Sequence, residues 1–112
     1  MNFSKESLKG VAEVIILRTL QDLGEGYGYQ LIKAIAQESN NIFELQEGTL
    51  YPILYRLEDK SLISSKLKTA PNSKQRRYYS ITKQGSGVLK EKTAEYRALM
   101  KGLNSLFNTQ LS

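Results

Sequence analysis

The order of the hydrophobic patterns along the chain limits the fold more than any other feature. Three segments with helical spacing of apolar residues come first, two short strand-like segments follow, and one long helical segment ends the sequence. Two strand-like segments separated by a short turn form a hairpin. The sequence therefore predicts a mainly α fold: a winged helix-turn-helix of three helices plus a two-stranded wing, with a long C-terminal helix.

The three leading helices are predicted from their apolar stripes. The first begins near Ser4, a plausible N-cap, and ends in the glycine-rich segment 24–28. The second covers about Tyr29 to Ser39. The third has apolar residues at positions i, i+3, i+4 and i+7, the spacing of one helix face. These residues are Leu50, Ile53, Leu54 and Leu57.

A hairpin is predicted for the segment that follows. Ser61 to Lys68 partly alternates, and Arg76 to Thr82 is rich in tyrosine and β-branched residues. Between them "TAPNSK" is a turn cluster. We expect residues 1–81 to form the winged-helix domain and residues 82–112 the C-terminal helix, with Thr82 as its N-cap.

The last helix predicts a homodimer. Apolar and aromatic residues recur along it every seven positions, and at about 1.5 Å per residue it reaches roughly 35–40 Å, too far for one small core to cover. A second copy of the chain is the simplest partner. We expect the first and last helices to supply the contacts, through Leu8, Val11, Ile15, Leu89, Tyr96, Leu99, Met100, Leu103 and Phe107.

The positive charge is concentrated in the hairpin. The net charge is +5, yet no acidic residue lies between Ser61 and Gln84. That segment holds Lys66, Lys68, Lys74, Arg76, Arg77 and Lys83. A focused basic stretch on a folded domain indicates a polyanionic partner. A solvated surface loop is the competing interpretation.

Several function classes are disfavoured by composition. The chain has no cysteine and no histidine, so disulfides, thiolate metal sites and the commonest general base are excluded. We expect no enzyme, no cofactor and no metal site. The longest apolar run, Val14 to Leu17, is too short to cross a bilayer, and the N-terminus lacks a signal-peptide core, so we expect a cytoplasmic protein without a membrane partner.

Pro52 lies in the third helix and needs an explanation. With Thr49 as N-cap, Pro52 would be the third helical residue, where the missing N–H costs little. The outer face would then carry Thr49, Tyr51, Pro52, Tyr55 and Arg56. The N-terminal part of a recognition helix enters a DNA major groove, and hydroxyl and guanidinium groups can contact phosphates or base edges. Alternatively, the tyrosines pack against neighbouring helices and Thr49 only caps.

Three strings resemble the PadR family of bacterial transcriptional regulators, in particular its subgroup with a single C-terminal helix: "YGYQLIKAI", "EGTLYPILYRLEDKSLI" and "RRYYSITKQG". The resemblance implies a homodimeric winged-helix repressor that binds a pseudo-palindromic operator. It implies recognition-helix contacts from Thr49, Tyr51, Tyr55 and Arg56, with Pro52 beside them. It also implies DNA-backbone contacts from Tyr27 and Lys33 and wing contacts from Arg76 and Arg77, next to Lys74.

The chain departs from the family pattern at two places. Ser73 and Lys74 stand where many relatives have glycines, which makes positive φ less accessible at the wing tip. Tyr96 stands about where drug-responsive members have a tryptophan that stacks on aromatic ligands. A small aromatic or hydrophobic effector could therefore bind at the dimer interface, near Val11, Ile15, Tyr96 and Met100. Dimer packing is the competing role for Tyr96.

One further function stays open. A winged helix can serve as a protein–protein interaction module without DNA. Such a module would show an acidic or apolar outer face on the third helix and a neutral wing. The sequence has the opposite pattern, which favours DNA.

Overall fold

The structure, a computed structural model, describes residues 3–69 and 71–109. In chain order the elements are α1 (Lys5–Leu8), α2 (Val11–Leu23), α3 (Gly28–Glu38), α4 (Glu47–Asp59), β1 (Ile63–Thr69), β2 (Gln75–Ile81) and α5 (Lys83–Thr109). This order confirms the mainly helical winged-helix fold with a long C-terminal helix. The predicted domain ranges also include residues 1, 2, 70 and 110–112, and the predicted turn includes residue 70. These residues lie outside the described part of the chain.

The predicted first helix is in fact two helices. Ser4 does cap α1, since its hydroxyl oxygen accepts a hydrogen bond from the backbone N–H of Ser7 at 3.1 Å. At Gly10 the backbone has φ 84°, which no helix can contain, and α2 begins immediately after it. The prediction of one continuous helix from Ser4 to Leu23 is therefore wrong.

The start of α4 also differs from the prediction. The N-cap is Gln46 and not Thr49, so Pro52 is the sixth helical residue and lies inside the helix. Proline has no N–H to donate, so the carbonyl oxygen of Gly48 loses its helical partner. Both Gly48 and Pro52 are exposed, which lets water bond that carbonyl group in place of the missing N–H.

The hydrophobic core is built from one face of each of α2, α3 and α4, together with the hairpin and the start of α5. Its fully buried side chains include Ile16, Leu20, Leu31, Leu50, Leu54 and Leu57. Leu89 joins this core and is only 4 % exposed. The prediction that Leu89 lies on a dimer surface therefore needs correction, because its side chain packs inside its own protomer.

The wing is an antiparallel hairpin in which Ile63 pairs with Ile81 and Thr69 pairs with Gln75. Its turn contains Ser73 at φ 68°, so a residue other than glycine adopts the left-handed conformation there. The loop between α2 and α3 adds a short bridge to β2. The Gly26 N–H donates to the Tyr79 carbonyl oxygen at 3.0 Å, and the Tyr79 N–H donates back at 2.9 Å. This bridge holds the wing against the helices.

The last helix, α5, runs for 27 residues and extends well past the core. Its first turns pack on α2, whereas residues 97–108 are all exposed. Large apolar side chains on this extension include Leu99, Met100, Leu103, Leu106 and Phe107. Among residues 3–69 and 71–109, no helix combines the length and the apolarity that crossing a bilayer requires.

Candidate nucleic-acid interface

One face of α4 is open to solvent. Leu50, Ile53, Leu54 and Leu57 are buried, so the opposite face of the helix points away from the core. That outer face carries the exposed residues Thr49, Pro52, Tyr55 and Arg56. Tyr55 is 57 % exposed, which leaves its hydroxyl and much of its ring available to a partner.

Tyr51 is placed differently from Tyr55. Its hydroxyl oxygen lies directly against Gly28, the first residue of α3, and a Cβ atom there would collide with it. Burial raises the pKa of Tyr51, and the nearby Glu47 acts in the same direction. Tyr51 therefore contributes to the packing of α4 on α3, although its ring centre is only 6.2 Å from that of Tyr55.

Arg56 is directed towards α2. Its Nε atom lies 3.9 Å from Oε2 of Glu13, and the Nζ atom of Lys60 lies 3.5 Å from the same oxygen. Both cationic side chains remain more than half exposed. Arg56 thus lies at the edge of the outer face of α4.

One face of the wing is tied to the loop before α3. The guanidinium carbon of Arg76 lies 4.5 Å from the centre of the Tyr27 ring, and its Nε atom is buried without a hydrogen-bond partner. Tyr78 meets Tyr27 edge-on at 5.4 Å. Lys68 donates a hydrogen bond to Glu25, and this bond holds the pKa of the Glu25 carboxyl below its usual range.

The other face of the wing is tied to the end of α4. The Nη1 atom of Arg77 donates to the hydroxyl oxygen of Ser65 at 3.1 Å, and that hydroxyl donates to Oε2 of Glu58 at 2.6 Å. Arg76 and Arg77 therefore point to opposite faces of the hairpin, as the alternation of a strand requires. The sequence interpretation treated them as one pair of wing contacts and overlooked this difference.

Residues 16–91 match the transcriptional regulator PadR-like family. The chain belongs to this family. It is similar to a transcriptional regulator from Clostridium thermocellum, with 32% identity, a TM-score of 0.80, and coverage of 90% of this chain and 97% of that one. A PadR-like transcriptional regulator from Bacillus cereus shares 31% identity, with a TM-score of 0.78 and coverage of 92% and 97%.

A PadR family transcriptional regulator from Eggerthella lenta is also similar, with 32% identity, a TM-score of 0.76, and coverage of 91% of this chain and 86% of that one. An uncharacterised protein of Lysinibacillus sphaericus is 34% identical over 100 residues, which cover 89% of this chain and 90% of the relative. The family consists of transcriptional regulators, which are not enzymes. Within the part of this PadR-like chain that the structure describes, no group of acidic, histidine or cysteine side chains is arranged to hold a metal ion.

The remaining cations expected to contact DNA, Lys33 and Lys74, are accessible, and so is Lys66. Lys33 is exposed on α3, with its Nζ atom 5.5 Å from the centre of the Tyr29 ring. Lys74 is exposed at the wing tip, and Lys66 is exposed on β1. Among the described residues, neither Lys66 nor Lys74 has a salt bridge or an aromatic partner. Lys66 was not among the expected contacts, although its place in the basic segment was a usable signal.

Apart from the buried Leu89, the residues expected at the dimer and effector surfaces fall into two groups in this PadR-like protomer. Leu99, Met100, Leu103 and Phe107 are exposed on α5. Leu8, Val11, Ile15 and Tyr96 are half-buried, and the hydroxyl oxygen of Tyr96 lies against Gly10. Tyr96 is therefore already engaged by its own chain, whereas Met100 remains free.

Proposed function

We propose that this PadR-like chain is a sequence-specific DNA-binding repressor that acts as a homodimer on a pseudo-palindromic operator. In this proposal residues 1–81 form the DNA-binding domain and residues 82–112 the dimerisation helix. The observation that carries it is the solvent-open outer face of α4, with Thr49, Pro52 and Tyr55, on a domain whose wing carries a concentration of positive charge.

The two surfaces contribute in different ways. A recognition helix in the major groove meets base edges, which suits the hydroxyls of Thr49 and Tyr55 and the apolar ring of Pro52. The exposed lysines Lys66 and Lys74 on the wing suit phosphates, which contribute affinity without sequence information. The proposed DNA surface is completed by Tyr27, Lys33, Tyr51, Arg56, Arg76 and Arg77.

The apolar stripe of α5 supports the homodimer. An exposed large apolar side chain contributes about 1.5–3 kcal/mol when it becomes fully buried. Leu99, Leu103 and Leu106 line one shallow, almost entirely apolar depression on this helix. A two-fold axis through paired α5 helices would present two α4 helices to half-sites about 34 Å apart.

Release by a small aromatic or hydrophobic effector is a separate part of the proposal. The expected site, at the dimer interface near Val11, Ile15, Tyr96 and Met100, remains a prediction. Its support is that Met100 is an exposed, adaptable apolar side chain on the same helix as Tyr96.

The proposal is tested by selecting bound fragments from a random DNA pool with the full chain. Fluorescence anisotropy then compares the selected sequence with a scrambled one. Tyr55→Ala should lower the preference for the selected sequence by about tenfold, since one base contact contributes about 1–3 kcal/mol of discrimination.

Tyr29→Ala is the matched control, because Tyr29 is a similarly exposed tyrosine on α3 and should leave that preference unchanged. Equal binding of selected and scrambled DNA by the unaltered protein would rule out sequence-specific recognition. Absence of any DNA binding would return the chain to the protein–protein interpretation.

A further inference from the structure

A groove of about 770 Å³ runs between α1, the start of α2 and α4. Its volume is within the range of small-molecule sites, about 300–1,000 Å³. The apolar side of the groove is formed by Leu8, Ala12 and Ile53, with Pro52 on the α4 edge. Ala12 and Ile53 also belong to the hydrophobic core, so this side of the groove rests on packed structure.

Positive charge surrounds this apolar surface. Four cations line the groove, and among the described residues that line it Glu13 alone carries a carboxylate. They are Lys5, Lys9, Arg56 and Lys60. Glu13 is shared between Arg56 and Lys60, whose nitrogens lie 3.9 and 3.5 Å from the same carboxylate oxygen. Among the described residues, Lys5 and Lys9 have no salt bridge, so the lining of the groove keeps a positive excess.

We propose that this groove binds a small amphipathic anion, of the class of a medium-chain carboxylate. The apolar tail would lie along Leu8, Ile53 and Pro52, and the carboxylate would meet Lys5 and Lys9. A DNA phosphate fits the same cations less well, because it would leave the apolar surface uncovered. Burial of each tail methylene contributes about 0.8 kcal/mol, so tail length should matter as much as charge.

Occupation of the groove has a consequence for the outer face of α4. Thr49, Pro52 and Arg56 line the groove and also belong to the proposed DNA surface. A bound anion would cover one edge of that surface and place negative charge beside it, so it should compete with DNA. This consequence rests on the proposed function, whereas binding of the anion does not.

Calorimetric titration of the full-length protein with decanoate tests the site. Decanol keeps the tail without the charge, and butyrate keeps the charge with a short tail. We expect decanoate to bind at least about tenfold more tightly than either. The double variant Lys5→Glu, Lys9→Glu should weaken decanoate by about tenfold and leave decanol nearly unchanged. Circular dichroism checks the fold of the variant.

Lys92→Glu, Lys101→Glu is the matched control, because it makes the same charge change on α5, and it should retain decanoate binding. Loss of decanoate binding in Tyr96→Leu, with full binding in the Lys5 and Lys9 variant, would move the site to the dimer interface and overturn the proposal. Equal affinity for all three probes, or no binding of decanoate, would also overturn it. The proposal would also be overturned if the Lys5 and Lys9 variant changed only the salt dependence of DNA binding.

DNA competition separates this proposal from the proposed function. If the protein binds decanoate in the groove but does not bind DNA, the proposed anion site stands and the proposed function as a regulator is rejected. DNA binding without decanoate binding would reject the site alone. With both present, decanoate at saturating concentration should weaken binding of the selected DNA by about fivefold or more, the lower end of ordinary allosteric coupling.

Discussion

The guanidinium group of Arg76 is stacked 4.5 Å from the ring centre of Tyr27, and this contact joins the wing to the N-cap of α3. The neighbouring Arg77 is on the opposite face and bonds Ser65. The two arginines therefore have different structural roles, although they are adjacent in the sequence. Arg76 anchors the wing, and Arg77 has a more exposed, weaker attachment.

Removal of the two arginines should affect stability unequally. Arg76→Ala should lower the free energy of unfolding by about 1–2 kcal/mol, because a partly desolvated cation–π contact contributes about that amount. Arg77→Ala should cost less than about 1 kcal/mol, because only one hydrogen bond at the surface is lost. Urea titrations of both variants provide the comparison. Equal losses would mean that Tyr27 does not anchor the wing.

Leu103→Glu should convert the proposed homodimer to monomers. Leu103 is exposed in the protomer, so the substitution should leave the protomer fold intact while placing a charge in the proposed interface. Lys101→Glu is the control. Positions 101 and 103 point about 200° apart around the helix axis, so this substitution introduces the same side chain on the far side of α5. Light scattering at micromolar concentration measures both. A dimeric Leu103→Glu variant would exclude this part of α5 from the interface.

Gly85 and Gly87 differ sharply in the space around them. A Cβ atom on Gly85 would collide with the backbone carbonyl oxygen of Leu62, whereas one on Gly87 would meet nothing within 4 Å. Gly85→Ala should therefore destabilise the protein by about 2 kcal/mol or more, as overpacking against rigid backbone does. Gly87→Ala should stabilise it by up to about 1 kcal/mol, because alanine favours helix. If thermal unfolding showed that both substitutions change the stability in the same direction, this placement of α5 would be contradicted.

Gly10 and Gly24 share one backbone conformation but differ in their neighbours. Their φ values are 84° and 83°, so alanine is strained at both, at a cost of about 1–3 kcal/mol. At Gly10 the new Cβ would also lie 2.8 Å from the hydroxyl oxygen of Tyr96, whereas Gly24 has free space. Gly10→Ala should therefore cost more than Gly24→Ala in urea titrations. Adding Tyr96→Phe should remove the difference; if it does not, Tyr96 is not the obstacle.

Stability should fall at high pH because of Tyr79. Its side chain is 1 % exposed, and burial raises the pKa of its hydroxyl above the ordinary value of 10.0. The folded state therefore holds this proton more tightly than the unfolded state. The resulting stability is present below about pH 10 and is lost as pH rises further, once unfolded tyrosine ionises.

Tyr79→Phe should make the free energy of unfolding less dependent on pH between about 9 and 11, the range in which tyrosine ionises. Tyr55→Phe, which removes a solvent-exposed hydroxyl, is the control. Urea titrations across that range compare the two variants with the unaltered protein. An unchanged pH dependence in Tyr79→Phe would show that Tyr79 is not the group responsible.

The elements themselves were predictable from the sequence because their patterns are local. The spacing of Leu50, Ile53, Leu54 and Leu57 predicted the buried face of α4. Partial alternation before the turn cluster, and tyrosine and β-branched residues after it, predicted the hairpin. The placement of Arg76 and Arg77 on opposite faces was also readable, since it follows from the period of a strand.

The tertiary structure decided what depends on residues far apart in the chain. The break at Gly10 coincides with the hydroxyl of Tyr96, and Arg76 stacks on Tyr27. Leu89 and Leu103 belong to the same seven-residue repeat, yet Leu89 is buried in the core and Leu103 is exposed. Periodicity states which side chains share a face of a helix. The part of that face that lies against the core is set by how far the other helices and strands extend alongside the helix. Only the packing of those elements determines this extent.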